Sequence, residues 1–436
     1  MGRSGSSLFL MLVTLAILGW MPRGLVAQEV QDTLRLGDLL LLAEELNPGL
    51  GALRHGADAA ELREPAASTL PDPVLQLGFM NFGLPDFNSD MPMSMAPSVQ
   101  LTQTFPWPGK LARQEDIAVR DRDIAAVRVD EASWRLRART SAVFYEIWSI
   151  DRRLEVVRST LELLEGFREV ALAMYGTGSG RQTDVLRADV EIARTTGEIR
   201  RMAGRREAVV AGLNGLLDRP SYTPVGVVVA DDVPRDVPAR SVLEGWALDS
   251  RPLLAETTLG VERATAAAAR ADREIWPDLR VGIAYGQRDR GLGTEHMGSA
   301  MVGLTLPVFA GSRQHALRDA AFAEQRLARA RNTEARAQVS ATIGALMADL
   351  EAARVLVDLY RDEVVPQART NVESAFSAYR VGRVDFLTLV DAQTTANRYE
   401  GELYALFANY GMTLTALESA VGRAIPSDGP TLRVNR

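Results

Sequence analysis

The chain has 436 residues, with 49 Lys and Arg against 56 Asp and Glu, and a formal net charge of −7. Its apolar fraction of 47% is too high for a disordered chain, and its acidic balance argues against a nucleic-acid partner. The absence of cysteine excludes disulfide scaffolds, thiol catalysis, iron–sulfur clusters and cysteine-based zinc sites.

Residues 1–27 have the features of a secretory signal peptide. Arg3 supplies the positive start, residues 8–20 form an apolar run shorter than the ~20 residues of a membrane helix, and residues 25–27 fit a cleavage site. A retained membrane anchor is the alternative. No later stretch reaches the length of an apolar span, so the mature chain is expected either to be soluble or to cross a membrane as β-strands.

The chain contains an internal repeat at a spacing near 204 residues. The matching segments are Leu70-Pro71-Asp72 and Trp276-Pro277-Asp278, Phe105-Pro106 and Leu306-Pro307, Tyr175 and Tyr379, Gly178 and Gly382, and Ala188 and Ala392. The predicted organisation is a first repeat over 28–219, an irregular equatorial linker over 220–238, a second repeat over 239–422 and a C-terminal tail over 423–436.

Each repeat is predicted to hold a helix, two short strands and a long helical hairpin, in that order. The strands are expected at about 74–82 and 98–105, and again at about 279–287 and 299–308. They alternate apolar residues with small or polar ones, as Leu279, Val281 and Ile283 do. This pattern suits either a half-buried sandwich strand or a lipid-facing barrel strand.

The hairpins, over 109–218 and 312–422, show apolar residues spaced alternately by three and four, which is typical of coiled-coil packing. No proline occurs between Gly109 and Tyr175, which predicts a helix of about 100 Å at 1.5 Å per residue. Pro366 lies inside the corresponding helix of the second repeat and predicts a kink there.

Four strands cannot close a barrel alone, but three chains that pool four strands each would form a 12-stranded outer-membrane barrel. The long helices would continue that barrel as a hollow tube through an aqueous space, and cyclic symmetry would close it. The predicted fold is therefore mainly α with a small β part, in a trimeric channel-tunnel.

With this architecture the sequence resembles the TolC-like outer-membrane efflux protein family. The resemblance rests on the duplicated unit, on Tyr-x-x-Gly at Tyr175 and Tyr379, and on Val390-Asp391-Ala392 after the second tip. The segment 103–110, QTFPWPGK, is similar to the strand-to-helix junction of the heavy-metal branch, which serves copper/silver and cobalt–zinc–cadmium exporters.

The resemblance implies a homotrimeric passive exit duct in the outer membrane that extends into the periplasm. Its expected partners are a periplasmic membrane-fusion (adaptor) protein, an inner-membrane pump of the RND type and outer-membrane lipid. Heavy-metal cations or drugs are the expected cargo. No catalytic motif occurs, so neither enzymatic activity nor a cofactor is expected. Two alternatives remain: a secreted coiled-coil scaffold in the periplasm, or the same channel in type I protein secretion.

The resemblance also indicates which residues carry function at the hairpin tips. The residues expected to contact the adaptor are Tyr175, Gly178, Arg181, Tyr379, Arg380, Gly382 and Arg383. The residues expected at the periplasmic entrance or gate are Asp184, Asp385, Thr388 and Asp391. Three symmetry-related Asp391 carboxylates would attract cations, whereas an exposed acid at a helix start is the plain structural alternative.

Two further groups are candidates outside the tips. Phe105, Trp107 and Lys110 suit anchoring at the membrane interface, although the same segment could be only a rigid junction that ends a strand. Met91, Met93 and Met95 are weak candidates for a soft metal such as Cu(I), with a flexible loop as the alternative.

Overall fold

The structure, a computed structural model, describes residues 33–80, 95–289, 293–426 and 429–434. The predicted signal peptide therefore lies outside the described residues. The first repeat contains α1 (Leu36–Leu46), α2 (Pro48–Ala67), β2 (Val74–Met80), β3 (Met95–Phe105), α3 (Lys110–Gly176) and α4 (Gln182–Leu216). The second repeat contains α5 (Arg240–Ser250), α6 (Pro252–Arg273), β6 (Leu279–Asp289), β7 (Thr294–Leu304), α7 (Gln314–Leu359), α8 (Val365–Arg380) and α9 (Phe386–Val421).

Helix α3 runs unbroken for 67 residues, which at 1.5 Å per residue is about 100 Å, as the sequence predicts. It begins after Gly109, whose φ of 89° is left-handed. Side chains such as Phe144, Ile147 and Leu154 are buried at coiled-coil spacing, and α9 packs along them. The burial of one stripe, rather than intrinsic propensity, holds so long a helix in one conformation.

The second hairpin is interrupted where the sequence predicts a kink. A π-helical segment, Tyr360–Val364, separates α7 from α8 and comes directly before Val365 and Pro366. The Val365 amide donates to the Tyr360 carbonyl, five residues back rather than four. Proline cannot donate an amide hydrogen, so a wider turn in front of Pro366 accommodates the missing bond.

The four long strands form one antiparallel sheet in the order β2-β3-β6-β7. Strand β7 begins five residues earlier and ends four residues sooner than expected, and Pro307 lies beyond its end. In register, Leu75, Leu101, Ile283 and Ala300 lie side by side on one face. The leucine and isoleucine side chains in that row are exposed in the protomer, and the neighbouring face carries Gln, Ser, Thr and Gly. Within the described residues, β2 and β7 are the sheet's unpaired edges.

The predicted irregular linker contains two short strands, β4 (Val227–Val228) and β5 (Val233–Pro234). Strand β4 pairs in parallel with β1 (Thr33–Leu34), and β5 pairs antiparallel with β8 (Thr431–Leu432) in the C-terminal tail. Two-residue strands carry no periodic signal, so the sequence could not reveal them. These strands hold the first and last described segments of the chain against the linker, beside the main hydrophobic core.

Candidate functional site

The first hairpin tip is closed by backbone hydrogen bonds to the Met174 carbonyl, which the hydroxyls of Thr177 and Ser179 supplement. The amides of Ser179 and Gly180 both donate to the Met174 carbonyl, at 2.9 and 2.8 Å, and Gly178 has a φ of 76°. A Cβ added at Gly180 would lie 2.9 Å from the Tyr175 nitrogen, so only glycine fits that position. The tip leaves Tyr175 46% exposed.

The second tip reverses the chain through the same left-handed glycine, with a φ of 70° at Gly382. Its amide donates to the Tyr379 carbonyl at 2.9 Å. Both tip glycines thus adopt the left-handed conformation that closes the C-terminus of a helix. Tyr379, however, is only 3% exposed and packs edge-on against Phe386, with ring centroids 5.5 Å apart.

In the protomer the Tyr379 ring is therefore turned away from the surface, and its contact with an adaptor stays a prediction. The physical reason lies at the first residue of helix α9. Phe386 offers an aromatic partner in the second repeat, whereas the corresponding residue of the first repeat is Gln182. Tyr175 lacks that partner and remains at the surface, together with the exposed side chains of Arg181, Arg380 and Arg383.

The acids of the second tip begin helix α9. The Asp385 side chain accepts hydrogen bonds from the Thr388 amide at 3.0 Å and from the Thr388 hydroxyl at 2.7 Å. These bonds, together with the charges of Arg187 and Arg181, hold the pKa of Asp385 below its ordinary value. Thr388 and Asp391, three residues apart, are both exposed on one face of α9.

Asp184 differs from these residues because it is only 8% exposed, in the first turn of α4. It lies near Tyr379: burial raises the pKa of that tyrosine, and the negative charge of Asp184 adds to the effect. In the protomer, therefore, Asp184 lies between the two hairpins rather than on an open entrance surface.

Sequence reasoning missed a charged groove behind the tips, a cavity of about 470 Å³ walled by α3, α4 and α9. Its basic side chains include Arg153, Arg194, Arg201 and Arg398, and its acids include Glu191, Glu198 and Glu402. Nearer the tips the two repeats also differ in charge, because Arg187 stands where the second repeat has Asp391. The wall near Asp391 thus combines both signs of charge.

The segment expected at the membrane interface forms a tight junction between the repeats. Lys110 is buried, and its Nζ donates to Asp278 Oδ1 at 2.9 Å and to the Trp276 carbonyl at 3.0 Å. The amide of Trp107 also donates to Asp278 Oδ1, and the Trp107 and Trp276 rings stack with centroids 5.1 Å apart.

The burial of Lys110 favours the alternative of a rigid junction that ends the strand, and anchoring of this residue at the membrane interface stays a prediction. A buried ammonium group must have its donors satisfied, and Glu274 adds a further carboxylate 3.5 Å away. Trp107 is half-buried and Phe105 is exposed, so anchoring by these two residues stays a prediction. The sequence signal for the junction was Trp276-Pro277-Asp278, recognised only as part of the repeat.

Met91 and Met93 lie outside the described residues, and only the backbone of Met95 is described, at the start of β3. Their role stays a prediction. Across the described ranges no group of three or more His, Asp or Glu side chains is placed to hold a metal ion. Within the same ranges, no helix combines the length and apolar character needed to cross a membrane.

Comparisons with known proteins agree with this architecture. Residues 245–423 match the family model described as outer membrane efflux protein. The cobalt-zinc-cadmium resistance protein CzcC of Cupriavidus metallidurans is 22% identical over 401 residues, covering 91% of this chain and 92% of CzcC.

Two solved outer-membrane proteins have a similar fold. VceC of Vibrio cholerae superposes with a TM-score of 0.74 at 17% identity, covering 89% of this chain and 96% of VceC. The open state of the MtrE channel of Neisseria gonorrhoeae gives 0.73 at 18% identity, with 89% of each chain covered.

The fold and the open sheet define one protomer of a TolC-like outer-membrane channel. Over residues 245–423 the chain is similar to the outer membrane efflux protein family. Proteins of this family are transport ducts of the outer membrane that reach into the periplasm, so the predicted location and the predicted absence of enzymatic activity are confirmed. The chain is an outer-membrane efflux channel protein.

Proposed function

We propose that three copies of this chain form a passive exit duct for heavy-metal cations, fed by a periplasmic adaptor and an inner-membrane pump of the RND type. The observation that carries the proposal is the open sheet, whose two edges are unpaired among the described residues and whose outer face is apolar. Twelve strands from three copies would pair every edge and place the apolar face against lipid.

The short helices support assembly with further copies. Helix α6 lies between two long helices: Glu256 pairs with Arg128 of α3 at 2.7 Å, and Thr257 accepts from Asn332 of α7 at 2.9 Å. Its counterpart α2 packs against α3 and leaves its other face open, with Leu62 79% exposed. The N-terminal half of α7 is also exposed on the side away from α6. A neighbouring copy would bring these two faces together.

The proposed cargo is supported by the similarity to CzcC, and the proposed adaptor contact is supported by the exposed residues of the tips. The name of that protein assigns it to cobalt, zinc and cadmium resistance, which favours divalent metal cations here. The exposed Arg181, Arg380 and Arg383 offer donors to carboxylates or carbonyls of an adaptor. Asp391, exposed near the tip, would attract cations at the entrance.

The test combines fractionation with conductance. In cells, the protein is expected in the outer-membrane pellet as a crosslinkable trimer, and purified trimers are expected to conduct ions in planar bilayers. A soluble periplasmic protein without conductance would instead be the coiled-coil scaffold.

The cargo is tested separately in cells that also express the inner-membrane pump and the adaptor that work with this channel. Deletion of the channel is expected to lower tolerance to zinc, cobalt or cadmium. Unchanged metal tolerance together with lost drug tolerance or lost protein secretion would contradict the cargo while leaving the duct in place. In bilayers, Asp391→Ala is expected to reduce cation selectivity. An unchanged selectivity would contradict the proposal that Asp391 attracts cations at the entrance.

A further inference from the structure

We propose that the strand-to-helix junction of the second repeat is completed by a neighbouring copy of the chain, through Arg313 with Asp72 and Phe309 with Leu70. This inference rests on the proposed trimer and deepens it. The corresponding junction of the first repeat is closed within the chain, and it shows which kind of segment closes such a junction. In the second repeat that segment would have to come from a second copy of the chain.

The first junction supplies the template. Where β3 passes into α3, the segment Trp276-Pro277-Asp278 of the second repeat closes the corner. Asp278 forms an ion pair with Lys110, and the Trp276 ring stacks on the Trp107 ring. Arg273 adds a bond to the Pro108 carbonyl at 3.1 Å. The corner is thus closed by the segment that leads into the next strand of the sheet, β6.

The second junction has the matching half, but among the described residues no segment of the same chain closes it. Where β7 passes towards α7, Leu306-Pro307 repeats Phe105-Pro106 and Gly311 repeats Gly109. Phe309 lies two residues before Gly311, as Trp107 lies two residues before Gly109, and it is 73% exposed. Arg313, directly before α7, is exposed and has no ion pair within the described ranges.

The complementary half lies at the opposite edge of the same protomer. Leu70-Pro71-Asp72 leads into edge strand β2 as Trp276-Pro277-Asp278 leads into β6. Leu70 is exposed, and so is Asp72, for which the described structure likewise shows no ion pair. When β7 of one copy pairs with β2 of the next, Leu70-Pro71-Asp72 of the next copy would reach the second junction. Trp276-Pro277-Asp278 reaches the first junction in the same way within one chain.

The exchange of residues is chemically consistent. Arg313 with Asp72 retains the cation–carboxylate pair of Lys110 with Asp278, and Phe309 with Leu70 retains an apolar contact in place of the stacked tryptophans. The contact is heterologous, since one edge meets the other, and therefore generates a closed ring under rotational symmetry.

Because the chain has no cysteine, introduced cysteines report on this contact without background. In the purified full-length protein carrying Phe309→Cys and Leu70→Cys, a short bifunctional maleimide is expected to yield a covalent trimer on denaturing gels. Each single variant is expected to remain monomeric under the same treatment. The matched control, Trp107→Cys with Trp276→Cys, is expected to crosslink within one chain and to run as a monomer.

Charge reversal supplies a second readout that does not depend on crosslinker reach. Arg313→Asp is expected to shift the trimer towards monomer, and Asp72→Arg in the same chain is expected to restore it. Arg318→Asp, on α7 beside Asp319, should leave the trimer intact. Monomeric crosslinks in a preparation that mass measurement shows to be trimeric, without charge rescue, would overturn this inference alone. A wild-type protein that is monomeric would overturn the proposed trimer as well.

Discussion

The two repeats reach the same shape by different means. The first runs one unbroken helix from Lys110 to Gly176 and turns it with a glycine-rich loop. The second breaks its helix at a π-helical segment, and beside its glycine turn Tyr379 is buried on Phe386 and Asp385 caps α9. Duplicated sequence therefore conserves the path of the chain, while each copy fixes that path with its own contacts.

The largest difference between the repeats is the buried charge at the first junction. Lys110→Met is expected to lower the free energy of unfolding by about 3 kcal/mol, because it leaves the Asp278 carboxylate without its partner. Denaturant unfolding in detergent, followed by the fluorescence of the stacked Trp107 and Trp276, measures the change. Arg113→Met is the control: one turn further along α3 its pair with Asp116 is exposed, so a loss below about 1 kcal/mol is expected. Equal losses in both variants would contradict the buried role of Lys110.

The next effect separates the two tip tyrosines. Tyr379→Ala removes a buried ring and is expected to destabilise the second tip by about 3 kcal/mol, or roughly a hundredfold in local opening. Tyr175→Ala removes a half-exposed ring from the first tip and is expected to change its opening far less. Hydrogen exchange of the tip amides measures both. If Tyr175→Ala loosens its tip as much as Tyr379→Ala does, the contrast drawn between the tips is wrong.

A smaller effect comes from the tip glycine itself. Gly382→Val places a β-branched side chain at a φ of 70° with open space around it, so the cost is backbone strain of about 1–2 kcal/mol rather than a clash. We expect trimers to form and metal export to be lost, because the tip can no longer present its reversed chain. Gly382→Asn, which tolerates this conformation better, is the control and should retain export. Normal export by the valine variant would show that export does not depend on the geometry of the second tip.

Sequence periodicity was sufficient for the elements that repeat over many residues. The heptads predicted the length of α3, the alternation predicted the four strands, and Pro366 predicted the break in the second hairpin. These features depend on neighbours along the chain, so the sequence contains them directly.

Contacts between distant segments could not be predicted in the same way. The sequence around Lys110 suits either anchoring at the membrane interface or a rigid junction, and it cannot show the bond to Asp278, which is 168 positions away. Tyr379 was expected at the surface because its motif equals that of Tyr175, and the difference lies in Phe386 against Gln182. A comparison of the residues that follow each tip would have revealed that difference.

The smallest expected effect is the pH dependence of the second tip. The pKa of Asp385 is lower in the folded tip than in an unfolded chain, so its cap contributes stability above the ordinary aspartate pKa, near 3.9, and loses it as the pH falls through the folded value. Cleavage at the second tip by an acid-stable protease should therefore increase below that range. Asp385→Asn caps the helix without titrating and should flatten the profile, whereas the first tip, where Arg181 provides no cap, should show no such dependence. A wild-type profile in the asparagine variant would show that another group controls the acid response of the tip.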